Sequence, residues 1–256
     1  GDVSAGAHVT LPRRRSPVLV VGFPAGPWGT NCYLVATGPG EQCVIVDPGK
    51  DAMPGIDQMV EEHRRSPVAV LLTHGHIDHV WSVVPVCGAR GIPAYLHPDD
   101  RWQMAAAYER ILGATDDAIQ ELTGGSLSAS EPDDLRELTD GVQLEVAGLT
   151  FTVDHAPGHT QGSVMFRRAG EGEVPPVLLS GDVLFEGSIG RTDLPGGDHA
   201  AMLRSLTSKV LPLDDATVVL PGHGATTTIA RERATNPYLT ALAEQSETPS
   251  SPRRGM

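Results

Sequence analysis

Short apolar runs that end at once in a turn bearing histidine or aspartate constrain this chain more than any other feature. Val68–Thr73 runs into His74, and Phe151-Thr152-Val153 into Asp154-His155-Ala156-Pro157-Gly158-His159. Val177–Ser180 runs into Gly181-Asp182, and Thr217–Leu220 into Pro221-Gly222-His223. Runs this short, rich in Val and Leu and closed by Gly, Pro or Asp, read as buried strands. In layered α/β folds the side chains that do chemistry gather where such strands leave the sheet. Further strands are expected at Val18–Phe23, Asn31–Ala36, Cys43–Asp47, Ala94–His97, Gln143–Val146, Leu149–Val153 and Val164–Arg167. Helical patterns fall at Gly55–Arg65, Val80–Arg90, around Asp99–Leu112, at Ala200–Val210 and at Ile229–Glu244. Early hairpins followed by strand–helix alternation predict two sheets with helices outside, a layered α/β sandwich.

Residues 1–16 and 245–256 are polar and proline-containing and read as loose tails, which leaves 17–244 as one expected domain. Residues 113–134 are polar and Gly/Ser-rich, most simply an insertion over one edge. The formal net charge of -13 disfavours a nucleic-acid partner, because holding a phosphate backbone takes a basic surface. Three cysteines, Cys32, Cys43 and Cys87, without a CxxC spacing fit a reducing, cytoplasmic compartment. No apolar run approaches the roughly 18–20 residues needed to span a bilayer, so no membrane partner is expected. The sequence leaves open whether the chain is a monomer or a homo-oligomer.

The densest chemistry lies in Thr73-His74-Gly75-His76-Ile77-Asp78-His79. On a helix His74 and His76 would diverge by about 200°. On an extended strand end, His74, His76 and Asp78 project to one side and His79 to the other, so the loop can address two neighbouring positions. Imidazole and carboxylate donors suit zinc, iron or manganese.

THGHIDH, PGHT, GD and PGHG, in this order, resemble the metallo-β-lactamase superfamily, most closely its glyoxalase II-like hydrolases; the likeness runs from Pro17 to Thr240. It implies a four-layer αββα sandwich with the site at one edge of the paired sheets. It further implies that His74, His76 and His159 bind one divalent ion, that Asp78, His79 and His223 bind a second, and that Asp182 bridges them. The ions are expected to be zinc, with iron or manganese as alternatives. Two such ions sharing a water lower its pKa from 15.7 to roughly 7 and stabilise the oxyanion formed at an attacked carbonyl. Asp78 would also orient that water, so Asp78 and Asp182 are the expected catalytic residues.

Metallo-β-lactamases proper generally carry cysteine or serine where Asp182 stands, which disfavours β-lactam hydrolysis. The expected substrate is a small-molecule thioester of the S-lactoylglutathione type, and Arg191 in Gly187–Asp193 is the candidate contact for a carboxylate of the thiol carrier. The alternative pairing of Arg191 with Asp193 would only shape the loop. Only the short segment after His223 remains for a C-terminal part, and no tyrosine follows that histidine closely. The chain therefore resembles the compact subgroup, with the thiol left open between glutathione and another carrier such as mycothiol. Persulfide dioxygenases share much of the motif set and would need only His74, His159 and Asp182 around one iron. A non-catalytic metal-binding protein on the same fold is the third reading. His97 is expected to cap or pack, His155 to support the fold or a metal ligand, and Asp47 to form a turn or brace the histidine loop from behind.

Overall fold

The computed structural model of the chain describes residues 18–38, 40–105 and 131–247. The N-terminal half builds one six-stranded sheet from β1 (Leu19–Ala25), β2 (Thr30–Ala36), β3 (Gln42–Val46), β4 (Ser66–Leu71), β5 (Ala94–Leu96) and β6 (Leu135–Glu137), in that spatial order. The C-terminal half builds the second from β7 (Gln143–Val146), β8 (Leu149–His155), β9 (Val164–Arg168), β10 (Val177–Gly181), β13 (Val218–Pro221) and β14 (Thr227–Thr228), in the order β14-β13-β10-β9-β8-β7. A small hairpin, β11 (Leu184–Phe185) with β12 (Ser188–Ile189), stands beside it. Both sheets begin antiparallel and turn parallel, at β3–β4 and at β10–β13. Each parallel pair has its two C-terminal ends side by side, which is what collects the site.

Alternation along the strands divides the core. On β2, Tyr33 and Val35 face one way and Cys32, Leu34 and Ala36 the other, as the two-residue period of a strand requires. Tyr33, Val35, Val44 and Leu71 meet Phe151, Val153, Phe166 and Leu179 between the sheets. Leu34, Ile45 and Val70 pack on α1 (Ala52–His63) and α3 (Val83–Arg90). Met165, Leu178 and Val219 pack on α5 (His199–Ser205) with its π-helical continuation Leu206–Val210, and on α7 (Pro237–Glu247). Three apolar layers between helix, sheet, sheet and helix are the expected αββα sandwich.

Local differences from the sequence reading have physical causes. The helix expected over Val80–Arg90 is two: α2 (Ile77–Val80) and α3, separated at Trp81-Ser82. Ser82 is drawn out of the helix by bonds from its N–H to Pro48 O (2.9 Å) and from its hydroxyl to Gly49 O (2.7 Å). Pro237 likewise divides Ile229–Glu244 into α6 (Ile229–Thr235) and α7, because its ring cannot continue the helix ladder. Around Asp99–Leu112 a 3-10 turn, Pro98–Asp100, leads into α4 (Arg101–Ala105); the rest of that pattern and most of 113–134 lie outside the described residues. The strands β6, β11, β12 and β14 had no sequence signal, being two or three residues long. Among the described residues no helix is long and apolar enough to cross a membrane. All three cysteines are buried and free, and burial pushes the thiols of Cys43 and Cys87 up to about 12.

Candidate metal centre

The strand ends converge at one edge of the sandwich, where the two sheets are stitched to each other. Val164 N–H donates to Thr73 O (2.8 Å) and Asn31 N–H to Gly222 O (2.7 Å), while the Tyr33 hydroxyl and the Asn31 amide donate to Pro221 O. β4 delivers His74, β8 the turn with His159, β10 Asp182, and β13 His223. Gly222 makes this possible, since a Cβ there would collide with Oδ1 of Asp182.

His74 and His76 lie on an extended loop, but Asp78 and His79 do not continue it. His76 caps α2, with the N–H groups of His79 and Val80 on its carbonyl at 3.0 and 3.2 Å, so Asp78 and His79 sit on a helical turn. The expectation that Asp78 projects with His74 and His76 is therefore corrected. The chain splits the four donors after His76, two to each group.

The two groups are His74, His76 and His159, and Asp78, His79, Asp182 and His223; within each, one ligand atom per residue lies within 4.8 Å of the others. Asp182 stands between them. Its Oδ2 is 3.8 Å from His74 Nε2, 3.4 Å from His159 Nε2 and 3.5 Å from His223 Nε2, and its Oδ1 is 3.3 Å from His79 Nε2. Donors about 2.1 Å from a shared ion at a tetrahedral angle stand roughly 3.4 Å apart, which matches these separations. Nε2 of His74, His76, His79 and His159 and Oδ1 of Asp182 are buried without any hydrogen-bond partner. Buried polar atoms are ordinarily satisfied, so five orphans aimed at two points fit divalent cations.

The opposite nitrogens are held. His79 Nδ1 meets Asp47 Oδ2 at 2.8 Å, and His159 Nδ1 meets the Arg191 carbonyl at 2.7 Å. His74 Nδ1 meets Thr73 Oγ1 at 3.0 Å, and that hydroxyl donates to Asp47 Oδ2 at 2.7 Å. Such contacts engage Nδ1, so that Nε2 is the atom each ring would turn to an ion. Asp47 thus braces the histidine loop, with Thr73 N–H on its other oxygen (2.9 Å) and its backbone at φ 52. Thr30 Oγ1 donates to Asp78 Oδ2 (2.9 Å), and His223 Nε2 approaches the same oxygen at 3.0 Å.

The two groups differ in charge. Burial, then repulsion from His79, holds His74 well below the ordinary histidine range, and burial with His159 brings His76 down to about 3. Burial acts the same way on His79 but is outweighed by Asp182, Asp78 and Asp47, so His79 lies well above that range. Asp182 and Asp78 likewise overcome burial at His223 and raise it to about 9. Burial works to raise Asp78 and Asp182, yet His79 above all, with His223, holds both carboxyls well below the usual range.

Arg191 is 61% exposed and forms a bidentate pair with Asp193, at 2.7 and 2.8 Å. Its contact with the donor set is the backbone carbonyl on His159 Nδ1, while its guanidinium is engaged by Asp193. His97 caps the 3-10 turn, its Nδ1 accepting from Asp99 N–H (3.1 Å). His155 stacks on His97 at 4.0 Å and 10° and uses Nε2 on Gln161 O (2.8 Å). These two and Asp99 are also close enough to be considered for an ion. Nearly parallel rings, however, send their in-plane lone pairs side by side rather than to one point, so the pair packs and caps. Trp28 and Trp81 pack on each other, centroids 5.7 Å apart. Sequence reasoning missed Thr30, Thr73 and Asp100, which join Asp78, Asp47 and Thr160 respectively, each far away along the chain.

Relatives match this chain along almost their full length. An uncharacterized protein of Mycobacterium tuberculosis is 46% identical over 88% of this chain and 100% of its own. The probable metallo-hydrolase YqgX of Bacillus subtilis is 36% identical over 86% and 97%. Hydroxyacylglutathione hydrolase GloC of Haemophilus influenzae is 32% identical over 85% and 96%. Among solved structures, the BLEG-1 B3 metallo-beta-lactamase superposes with a TM-score of 0.74 at 40% identity, covering 87% of this chain and 100% of that one. TTHA1623 in a di-iron-bound form gives 0.67 at 38%, covering 84% and 97%. The family model of the metallo-beta-lactamase superfamily matches residues 25–223, from the end of the first strand to the last of the converging histidines, and the chain belongs to that superfamily.

Proposed function

We propose that the chain is a di-metal hydrolase of small-molecule thioesters, S-lactoylglutathione being the model substrate. The observation that carries the reading is Asp182, a carboxylate with Oδ2 toward His74 and His159 and Oδ1 toward His79. In this reading His74, His76 and His159 hold one ion, Asp78, His79 and His223 the other, and Asp182 both. The ions, zinc by preference, would supply Lewis acidity and a water acidified to about neutral pKa. Asp78, its rotamer fixed by Thr30, would orient the attacking water. Arg191 would exchange Asp193 for a carboxylate of the thiol carrier. The likeness to GloC supports the thioester, and the di-iron form of TTHA1623 supports two ions while leaving iron open as the metal.

A second reading, β-lactam hydrolysis, is favoured by the likeness to BLEG-1 despite the aspartate at position 182. One preparation tests both. Protein purified without added metal is analysed for its elements and assayed on S-lactoylglutathione, on a chromogenic cephalosporin, and for oxygen uptake with glutathione persulfide. About two ions per chain with thioester cleavage is the expected result. Cephalosporin turnover without thioester cleavage would transfer the assignment to the second reading. One iron per chain with oxygen uptake would make His74, His159 and Asp182 a mononuclear site.

A further inference from the structure

Asp100 is fully buried and lies outside both donor groups. Its Oδ2 accepts from Gly75 N–H (2.9 Å) and Thr160 Oγ1 (2.7 Å), and its Oδ1 from Gly162 N–H (2.6 Å). Gly75 lies between His74 and His76, and Thr160 directly follows His159. One carboxylate therefore fastens the two backbone segments that carry the all-imidazole group.

The surroundings are shaped to that carboxylate. A Cβ on Gly162 would stand 2.7 Å from Asp100 Cγ, and one on Gly75 would stand 2.9 Å from Asp100 O. Only glycine lets both backbones approach this closely. Asp100 itself is placed by the 3-10 turn, its N–H on His97 O (3.0 Å), and the His97 ring caps that turn. Thr160 is oriented by Ser163, with its hydroxyl 2.7 Å from Ser163 Oγ. Asp47 holds His79 of the other group directly and reaches His74 only through Thr73.

We infer that Asp100 is a positioning residue for the ion held by His74, His76 and His159, setting the distance between the first two and the third. The inference rests on the metal reading and is independent of which substrate is cleaved. Asparagine cannot replace the carboxylate, because its NH₂ would face one of three donors.

The test is zinc titration in a chelator buffer, followed by ¹⁵N-histidine NMR, which reads each imidazole separately. Wild-type protein, Asp100→Asn and the milder Thr160→Val are compared. Asp100→Asn should need about 10–100-fold more free zinc to shift His74, His76 and His159, the usual size of such an outer-contact loss. His79 and His223 should shift as in wild type. Thr160→Val, which removes one of the three bonds, should show the same selectivity with a smaller factor, and it decides the matter alone if Asp100→Asn does not fold. Equal weakening of both histidine sets, or of neither, in the variant that folds would overturn the inference. Wild-type imidazoles that zinc leaves unmoved would overturn it together with the metal reading, whereas zinc binding without thioester cleavage would leave it standing.

Discussion

The two halves of the metal centre are built from opposite materials. His74, His76 and His159 form a cluster with no acid of its own, in which burial, with repulsion from neighbouring imidazoles, holds His74 and His76 well below the ordinary histidine range. Asp78, His79, Asp182 and His223 form a mixed cluster in which the carboxylates overcome burial and keep the imidazoles protonated. Exposure sets only Asp78 and His223 apart, since the side chains of His79 and Asp182 are as buried as the first cluster. The side chain of His74 is 1% exposed and that of His159 5%, against 18% for Asp78 and 31% for His223. The first cluster is thus a closed pocket of ready lone pairs, tied down by an aspartate against backbone N–H groups. The second is a charged, half-open mouth tied down through a histidine ring. Binding a cation costs the second cluster protons, which His74 and His76 in the first do not carry.

The sharpest way to break this comparison is to remove what the halves share. Asp182→Ala should abolish nearly all turnover, by about 10³-fold or more, with circular dichroism unchanged, because its carboxylate stands between both clusters. Retained activity in a folded Asp182→Ala protein would refute the bridged mechanism. Asp47→Asn is next in size. His79 Nδ1 and Thr73 both need acceptors there, so zinc affinity at the mixed cluster should fall by about 10–100-fold in chelator competition. Its effect should reach His74 more weakly, through Thr73. A loss confined to His74, His76 and His159 would mean that the bracing has been attributed to the wrong half.

The fold was legible where strands were long enough to alternate or to carry a continuous apolar run. β2, β4, β8 and β10 could be placed from sequence because each ends in a turn of definite chemistry. β6, β11, β12 and β14 could not, because two or three residues carry no period and their pairing is decided by neighbours. The donors were legible as residue types, and the structure brings all seven together. The two ligand sets implied by the resemblance are those of the structure; only the local geometry of the histidine loop was misread, since an extended backbone was carried past His76 into what is a helical turn. The braces were harder still. Asp47 stood out as an acid at a strand end, but Asp100 did not, because its partners are the backbone N–H groups of Gly75 and Gly162 and one threonine hydroxyl, a set with no distinctive sequence pattern.

Proton release upon ion binding reads the difference between the halves directly. In the folded protein His223 titrates near 9 and His79 well above its ordinary value, so both hold protons at pH 7.5 and lose them as pH rises through those values. His76, near 3, and His74, well below 6.5, have none to lose at that pH. Zinc entering the mixed cluster should therefore release about one to two protons from His79 and His223, whereas His74 and His76 contribute none in the other step. Calorimetry at pH 7.5 in two buffers of different ionisation enthalpy separates the cases. Equal release in both binding steps would remove the electrostatic distinction while leaving the ligand sets intact.

The smallest effect expected is at the mouth. Arg191→Ala keeps the backbone carbonyl that holds His159 Nδ1 and removes only the guanidinium now paired with Asp193. If that exposed group meets a substrate carboxylate, KM should rise several-fold, on the order of a surface charge contact, while kcat stays within about twofold. A fall in kcat at constant KM would instead say that the pair with Asp193 sets the loop and, through it, the ring of His159. Arg191 would then belong to the closed half of the centre, through its carbonyl, rather than to the open mouth. An Asp193→Asn variant separates these outcomes, because it frees the guanidinium without deleting it. A clamp should survive that change with KM lowered or unchanged, whereas a loop-shaping pair should fail in both variants alike.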